Sequence, residues 1–356
     1  MNLRVPHLVV VCLASVLVLG GCEQSAENEP TVSATDDSPM HITGAGSSFA
    51  APMFNKWFEV YTEDHADLSL SYDSVGSGEG IDRFLAGTVD IGATDAPLRA
   101  DEAATVGGPY LQLPVTAGMI AIAYNLPDVA GPLNLPRDVY ADIFRGALHR
   151  WDDPRIAAAN PGVALPHKLI QVVARQDSSG TTFAFTNHLA AISDQWDAGV
   201  GKRIDWPGGT MLARGNEGVA GRIKLTEGSI GYVEAGFAQR LHLPLAWLEN
   251  RGGGFVAPNT ETWSQRALAG GSDAIPEDLS VVIIDPASAR SYPIVTYTWA
   301  LLRSGNGDDP AKGKAIEELI RRVLTDWQSY AGALWYVPLP YSVVKAALAE
   351  LQDAGR

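Results

Sequence analysis

The sequence predicts an α/β protein large enough for two domains, and three observations carry that expectation. The chain has 356 residues, more than a single core comfortably holds. Its composition is that of a globular protein, with 46% hydrophobic and 19% charged residues. Three times along the chain, a short apolar run ends in small polar residues and then resumes at helical spacing, as a strand-to-helix corner would.

The first 21 residues are a leader rather than fold. Arg4 is followed by an apolar run from Leu8 to Leu19 and then by small residues, the pattern of a signal peptide. Leu19, Gly20, Gly21 and Cys22 resemble a bacterial lipobox, in which cleavage exposes a lipid-modified cysteine. Cys12 lies inside the leader, so Cys22 has no partner and an internal disulfide is not expected. Cleavage removes one base, Arg4, and takes the formal charge from −15 to −16. The segment 22–40 after the cleavage point is acidic, rich in Ser and Thr and free of aromatics, so it reads as a disordered tether. As a flexible coil it reaches about 20–25 Å. The negative charge makes nucleic acid an unfit partner, and any bound anion must be held by local groups.

The folded body opens with "HITGAGSSFAAPMFNKWFEVYTED". Ala50, Met53, Phe54, Trp57, Phe58 and Tyr61 recur at i, i+3, i+4 and i+7, which predicts an amphipathic helix with Pro52 in its first turn. Ser47 and Ser48 stand near the cap position, at the end of a short strand. The second corner is "LSLSYDSVGSGEGIDRFLAG". Leu68, Leu70 and Tyr72 alternate as in a strand, Gly76, Ser77 and Gly78 make the bend, and Ile81, Phe84 and Leu85 mark a short helix. A following strand, "TVDIGATDAP", ends at Asp95. This is a βαβ unit, so its strands are expected to be parallel. The third corner is "LIQVVARQDSSGTTFAF". Ile170, Val172 and Val173 form the strand, Ser178, Ser179 and Gly180 fall at the cap, and a helix runs from Thr181 to Ile192 with Phe185, Leu189 and Ile192 on one side.

These corners share small residues, hydroxyls and the unpaired amides of a helix's first turn, which together favour a bound anion. One such corner alone is ordinary capping. Three, with Arg175 beside one of them, point to anion binding. Other chemistries lack their residues. No lysine follows the glycines as a phosphate-binding nucleotide loop requires, and no serine has glycine at both −2 and +2. The seven histidines are scattered without zinc-site spacing, so neither a metal nor another cofactor is expected. His188 reads as a surface or packed residue in mid-helix. The stretches "ARGNEGVAG" and "NRGGGFVAP" read as turns.

From about 41 to 350 the sequence resembles the phosphate-binding protein of the bacterial ABC-type phosphate-specific transport system. "TGAGSSFAAPMFNKW", "VGSGEGIDRFLAGTVDIGATDAPL", "RGALHRWDDPRI", "VVARQDSSGTTFAFTNHLA", "GNEGVAGRI", "GSIGYVE" and "YVPLPYSVV" match that family in order. The resemblance implies a two-lobed periplasmic-binding-protein fold of type II-like α/β lobes, with the ligand in the cleft between them. Lobe I would comprise 41–115 and 293–356, and lobe II 116–292, with hinge crossings in "LPVTAGMIAIAYN" and "YPIVTYTWALL". Matched residue by residue, Ser48 would supply its hydroxyl and amide, Phe49 its amide and Ser77 its hydroxyl. Asp95 would accept the proton of the phosphate. Arg175 would pair with phosphate oxygens, held by Asp177, while Ser179, Gly180 and Thr181 would donate from the third helix start. Serine at 48, where threonine is also familiar, and Thr94, where serine is common, are small departures.

The function implied is that of a non-enzymatic, monomeric lipoprotein in the cell envelope, on the periplasmic side. It would take inorganic phosphate and deliver it to permease subunits, with the membrane reached through Cys22. Competing readings are a phosphatase using the same pocket, an adhesion or signalling lipoprotein regulated by phosphate, and a receptor for sulfate, molybdate or a phosphonate. A phosphatase would need a metal cluster or an activated nucleophile, which the sequence lacks. Asp95 argues against a fully deprotonated oxyanion.

Overall fold

A computed structural model of the chain describes residues 39–259, 263–271, 275–276, 278–304 and 309–354. The leader, Cys22 and the tether up to residue 38 lie outside the described residues.

The chain runs β1 Met40–Gly46, α1 Ala51–Asp64, β2 Leu68–Ser74, α2 Ser77–Leu85, β3 Ile91–Thr94, α3 Ala100–Ala103 and the long β4 Tyr110–Tyr124. It continues through β5 Asn134–Leu135, α4 Arg137–Phe144, α5 Pro154–Ala159, β6 Gln171–Arg175, α6 Gly180–Ile192, β7 Met211–Ala213, α7 Gly215–Leu225, β8 Ser229–Glu234 and α8 Ala235–Arg240. Then come β9 Trp247–Glu249, β10 Phe255–Val256, α9 Trp263–Gly271, β11 Val295–Arg303, α10 Pro310–Leu324 and α11 Tyr341–Ala354. Met40, assigned above to the tether, is already paired with Leu68, so the strand begins one residue earlier than expected.

The main sheet has the order β2-β1-β3-β11-β4-β8-β6-β7. Its two flanks are parallel: β1 pairs with β2 and β3, and β6 pairs with β7 and β8, in the same direction. The two strands of the βαβ unit, β2 and β3, therefore run parallel as expected, but they do not pair with each other, because β1 lies between them. Between the flanks, β4 and β11 run antiparallel. Residues Tyr110 to Met119 of β4 pair with β11, and Ile120 to Tyr124 pair with β8. One strand thus serves both flanks, and its side chains are buried from Leu113 onward.

Apolar periodicity explains the layers. Helix α1 buries Ala51, Met53, Phe54, Trp57, Phe58 and Tyr61, the face its spacing predicts, against β2. Phe54 stacks on Tyr72 with ring centroids 4.6 Å apart. Fully burying a side chain of that size stabilises by about 1.5–3 kcal/mol. Helix α2 buries Ile81 and Phe84, and α6 buries Phe185 and Leu189. Helix α10 starts at Asp309, whose carboxylate accepts from the amides of Ala311 and Lys312 at 3.0 and 3.1 Å.

The stretch "ARGNEGVAG", read above as a turn, is instead the end of β7, Arg214 as N-cap and the start of α7. It is a fourth strand-to-helix corner. The strand before it spans three residues, too short to announce itself by alternation.

Candidate anion-binding site

In open α/β sheets the carboxyl ends of parallel strands, where helices begin, are where ligands gather. Here β1, β2 and β3 deliver Ser47 to Phe49, Ser77 and Asp95 from one flank. β6 and β7 deliver Arg175 to Thr181 and Asn216 from the other.

The two groups touch. A side chain on Gly180 would place its Cβ 2.6 Å from both Asp95 Cβ and Ser77 Oγ, so only glycine lets these corners meet. Gly76, at φ +95°, would bring a Cβ 2.4 Å from Asp177 Oδ2. The amide of Gly78 donates to the Ser178 carbonyl at 3.0 Å, across the same seam. Lys202 Nζ reaches Glu102 Oε1 at 2.5 Å, and the Lys202 carbonyl accepts from the Ser179 amide at 2.7 Å. The ion pair is thereby tied to the loop of the third corner.

Asp95 is 1% exposed, and among the described residues no cation is hydrogen-bonded to it. Its Oδ1 accepts from Ser47 Oγ at 2.6 Å and from Thr298 Oγ1 at 2.7 Å. Its Oδ2 has only a long contact with Ser77 Oγ, at 3.4 Å. Burial pushes the carboxyl up to about 6, against the pull of the Ser47 and Thr298 hydroxyls and the Arg175 charge. Oδ2 is therefore the carboxylate oxygen with the lesser share of its acceptor capacity used.

Arg175 is buried and paired with Asp177 through a fork, Nε to Oδ1 at 2.8 Å and Nη2 to Oδ2 at 2.5 Å. Burial works against the Asp177 charge, but the guanidinium and the Gly215 amide outweigh it and hold the carboxyl below its ordinary range. Arg175 Nη1 also donates to Thr181 Oγ1 at 3.3 Å.

The helix starts supply the donors. Ser179 caps α6, its Oγ accepting from the Thr182 amide at 3.1 Å, which leaves the first-turn amides of Gly180 and Thr181 without helical partners. Ser178 is half-buried and gives its carbonyl to Gly78, so Ser179 is the serine of the pair locked into the corner. On the other flank, Ser47 Oγ accepts from the Ala50 amide at 3.2 Å while giving its proton to Asp95. The Ser47 carbonyl accepts from Tyr72 OH at 2.8 Å, and the Phe49 carbonyl accepts from Tyr336 OH. These clamps fix the Ser47–Ser48 and Phe49–Ala50 peptide planes. The Phe49 ring packs edge-on against Tyr336.

The residues matched to the phosphate-binding pattern lie together here: Ser48, Phe49, Ser77, Asp95, Arg175, Asp177, Ser179, Gly180 and Thr181. Sequence reasoning missed Asn216 and Thr298, and gave Ser47 only a capping role. His188, expected to be a surface or packed residue, is packed. Its Nε2 meets Tyr140 OH at 2.8 Å, and burial pushes it down to about 3. Among the described residues, no group of three or more His, Cys, Asp or Glu side chains could hold a metal ion.

A model of the PBP superfamily domain matches residues 25–324. The phosphate-binding protein PstS of Methanocaldococcus jannaschii is 36% identical over 362 residues, covering 95% of this chain and 92% of the relative. PstS of Pasteurella multocida is 37% identical over 312 residues, covering 87% and 89%. The chain belongs to the PstS family. Among solved structures, a high-affinity periplasmic phosphate-binding protein (PfluDING) bound with phosphate superposes with a TM-score of 0.71 at 19% identity, over 87% of this chain and 93% of that one. That likeness carries the periplasmic-binding-protein fold across a wide sequence distance. For a PstS-family chain, the convergence of four helix starts, one forked arginine and one uncompensated carboxylate is the feature that needs a functional explanation.

Proposed function

We infer that this chain is a receptor for inorganic phosphate. It takes the anion between its two sheet flanks, closes over it and passes it to the permease subunits of an ABC-type importer. The observation that carries this reading is Asp95. It is a buried carboxylate whose Oδ2 accepts only a long bond among the described residues, set among amide, hydroxyl and guanidinium donors. An anion that is all acceptor would meet it with repulsion, whereas one that keeps a proton can donate to it. Phosphate keeps a proton at neutral pH, and sulfate does not.

In this reading Arg175, fixed by Asp177, supplies the charge. Ser48, Phe49, Ser77, Ser179, Gly180 and Thr181 supply the remaining hydrogen bonds. Lobe I is 41–115 with 293–356, lobe II is 116–292, and the hinge lies where β4 passes from one partner strand to the other. Isothermal calorimetry with phosphate, sulfate and molybdate tests the ligand. Phosphate should bind far more tightly than the other two, and equal affinities would refute the reading.

The protein works as a monomer in the cell envelope, held to the membrane by a lipid on Cys22. Among the described residues no helix is long and apolar enough to cross a membrane. Cys22→Ala should move the protein from the membrane fraction to the soluble envelope fraction. Unchanged membrane association would remove the anchor from the account.

A further inference from the structure

Asn216 has no role in the reading above, yet it is fully buried where the two flanks meet. Its Oδ1 accepts from the Glu234 amide at 2.9 Å, which fixes the other end of the side chain as the NH2 group. Nδ2 donates to Ser48 Oγ at 3.0 Å and to Thr181 Oγ1 at 3.2 Å. The Asn216 backbone amide also donates to Ser48 Oγ, at 3.0 Å. One side chain therefore holds a hydroxyl from each flank.

A hydroxyl oxygen has two lone pairs and one proton. At Ser48 both lone pairs are occupied, by the amide and the Nδ2 of Asn216. At Thr181 both are occupied, by Asn216 Nδ2 and by Arg175 Nη1 at 3.3 Å. Each hydroxyl keeps only its proton to give, and among the described hydrogen bonds no protein group accepts it. Asn216 is not a ligand itself, since both N–H bonds of Nδ2 are used on the hydroxyls. Resting on the phosphate reading, we propose that Asn216 is a positioning residue that turns the Ser48 and Thr181 hydroxyls into obligate donors to the bound anion. It also couples anion capture to closure, because its two targets lie on opposite flanks.

The test is a double-mutant cycle on the full chain, read by phosphate calorimetry at one pH and salt concentration. Asn216→Ala should weaken phosphate binding by about 10- to 100-fold, the range expected when charge-assisted hydrogen bonds lose their orientation. In a Ser48→Ala, Thr181→Val background, the same change should cost less than about threefold, since the hydroxyls it orients are gone. A purely structural role would lower affinity by the same factor in both backgrounds, and that result would overturn the proposal. Asn216→Ser goes through the same cycle, so that a folding defect in the alanine variant, seen as a lost thermal transition, does not end the test. The outcomes separate from those of the phosphate reading. A wild type that ignores phosphate sinks both. A hydroxyl-free background that binds as tightly as wild type sinks the site assignment. Equal losses in the two backgrounds sink the role of Asn216 alone.

Discussion

Asp95 and Asp177 sit at the same seam, both buried, one on each flank of the sheet, and their carboxyls are shifted in opposite directions. Asp177 has a guanidinium bonded through two parallel contacts and an amide behind it, so its charge is compensated before any ligand arrives. Asp95 has only hydroxyls, and burial raises it to about 6. Depth contributes, since Asp95 is the more deeply buried, but it does not act alone. A guanidinium in contact makes one carboxylate a buttress for Arg175, whereas the other has no such cation among the described residues, and the phosphate reading rests on that difference.

Removing the cation is the harshest way to break that contrast. Arg175→Ala should lower phosphate affinity by about 100-fold or more, since it deletes charge-assisted donors and leaves Asp177 as bare negative charge beside the anion. Arg175→Lys should restore little, because an ammonium cannot reproduce the fork. A calorimetric loss below about threefold for the alanine variant would mean that the anion lies elsewhere.

Titration sharpens the contrast. As pH falls through about 6, Asp95 takes up a proton, loses its charge and gains a donor. Sulfate affinity of the wild type should therefore rise by about tenfold between pH 7 and pH 5, following the single proton taken up. Sulfate does not titrate in this range, so the change reports on the protein, and in Asp95→Asn that step should vanish. The same shift bears on stability. The folded value lies above the ordinary 3.8, so the folded chain binds more protons than the unfolded chain between about 4 and about 6. This group's contribution to stability is lost as pH rises through that window, and Asp95→Asn should flatten the slope measured by denaturant titration there.

The smallest effect is expected at the seam's edge. Lys202→Met removes the ion pair to Glu102 and should weaken phosphate by about 2- to 10-fold, mainly through faster dissociation seen in stopped-flow traces. A change in association rate alone would contradict a role in holding the closed form.

Much of this arrangement was legible from local pattern. The α1 face, the bends at Gly76–Gly78 and Ser178–Gly180, and the common direction of β2 and β3 follow from periodicity and from the chemistry of caps, whereas parallel strands in the other flank are implied by the family resemblance. What stayed hidden depends on distant pairing. Thr298 lies in the apolar run "YPIVTYTWALL", where it reads as strand filler. Only the register that sets Trp299 opposite Thr94 brings its hydroxyl to Asp95. Asn216 acts on Ser48, 168 positions earlier in the chain, from a corner whose strand is too short to recognise. Ser47 was legible as a cap, and it is one, but its second bond, to Asp95, spans 48 positions. Local sequence shows where helices begin, whereas which hydroxyls share a carboxylate is decided by the assembled sheet.

The central claim is that Asp95 selects the anion that still carries a proton. The most direct test is a four-way titration of wild type and Asp95→Asn with phosphate and with sulfate, at pH 8 and one salt concentration. Sites that pair a polar group can reject the analogue lacking it by about 10⁴–10⁵-fold. The wild type should show a large phosphate-over-sulfate ratio. The Asn variant, which keeps the shape and offers an amide donor, should narrow that ratio by at least about 100-fold, chiefly by binding sulfate more tightly. The same ratio in both proteins would contradict the account and leave selectivity to the amides and hydroxyls of the helix starts.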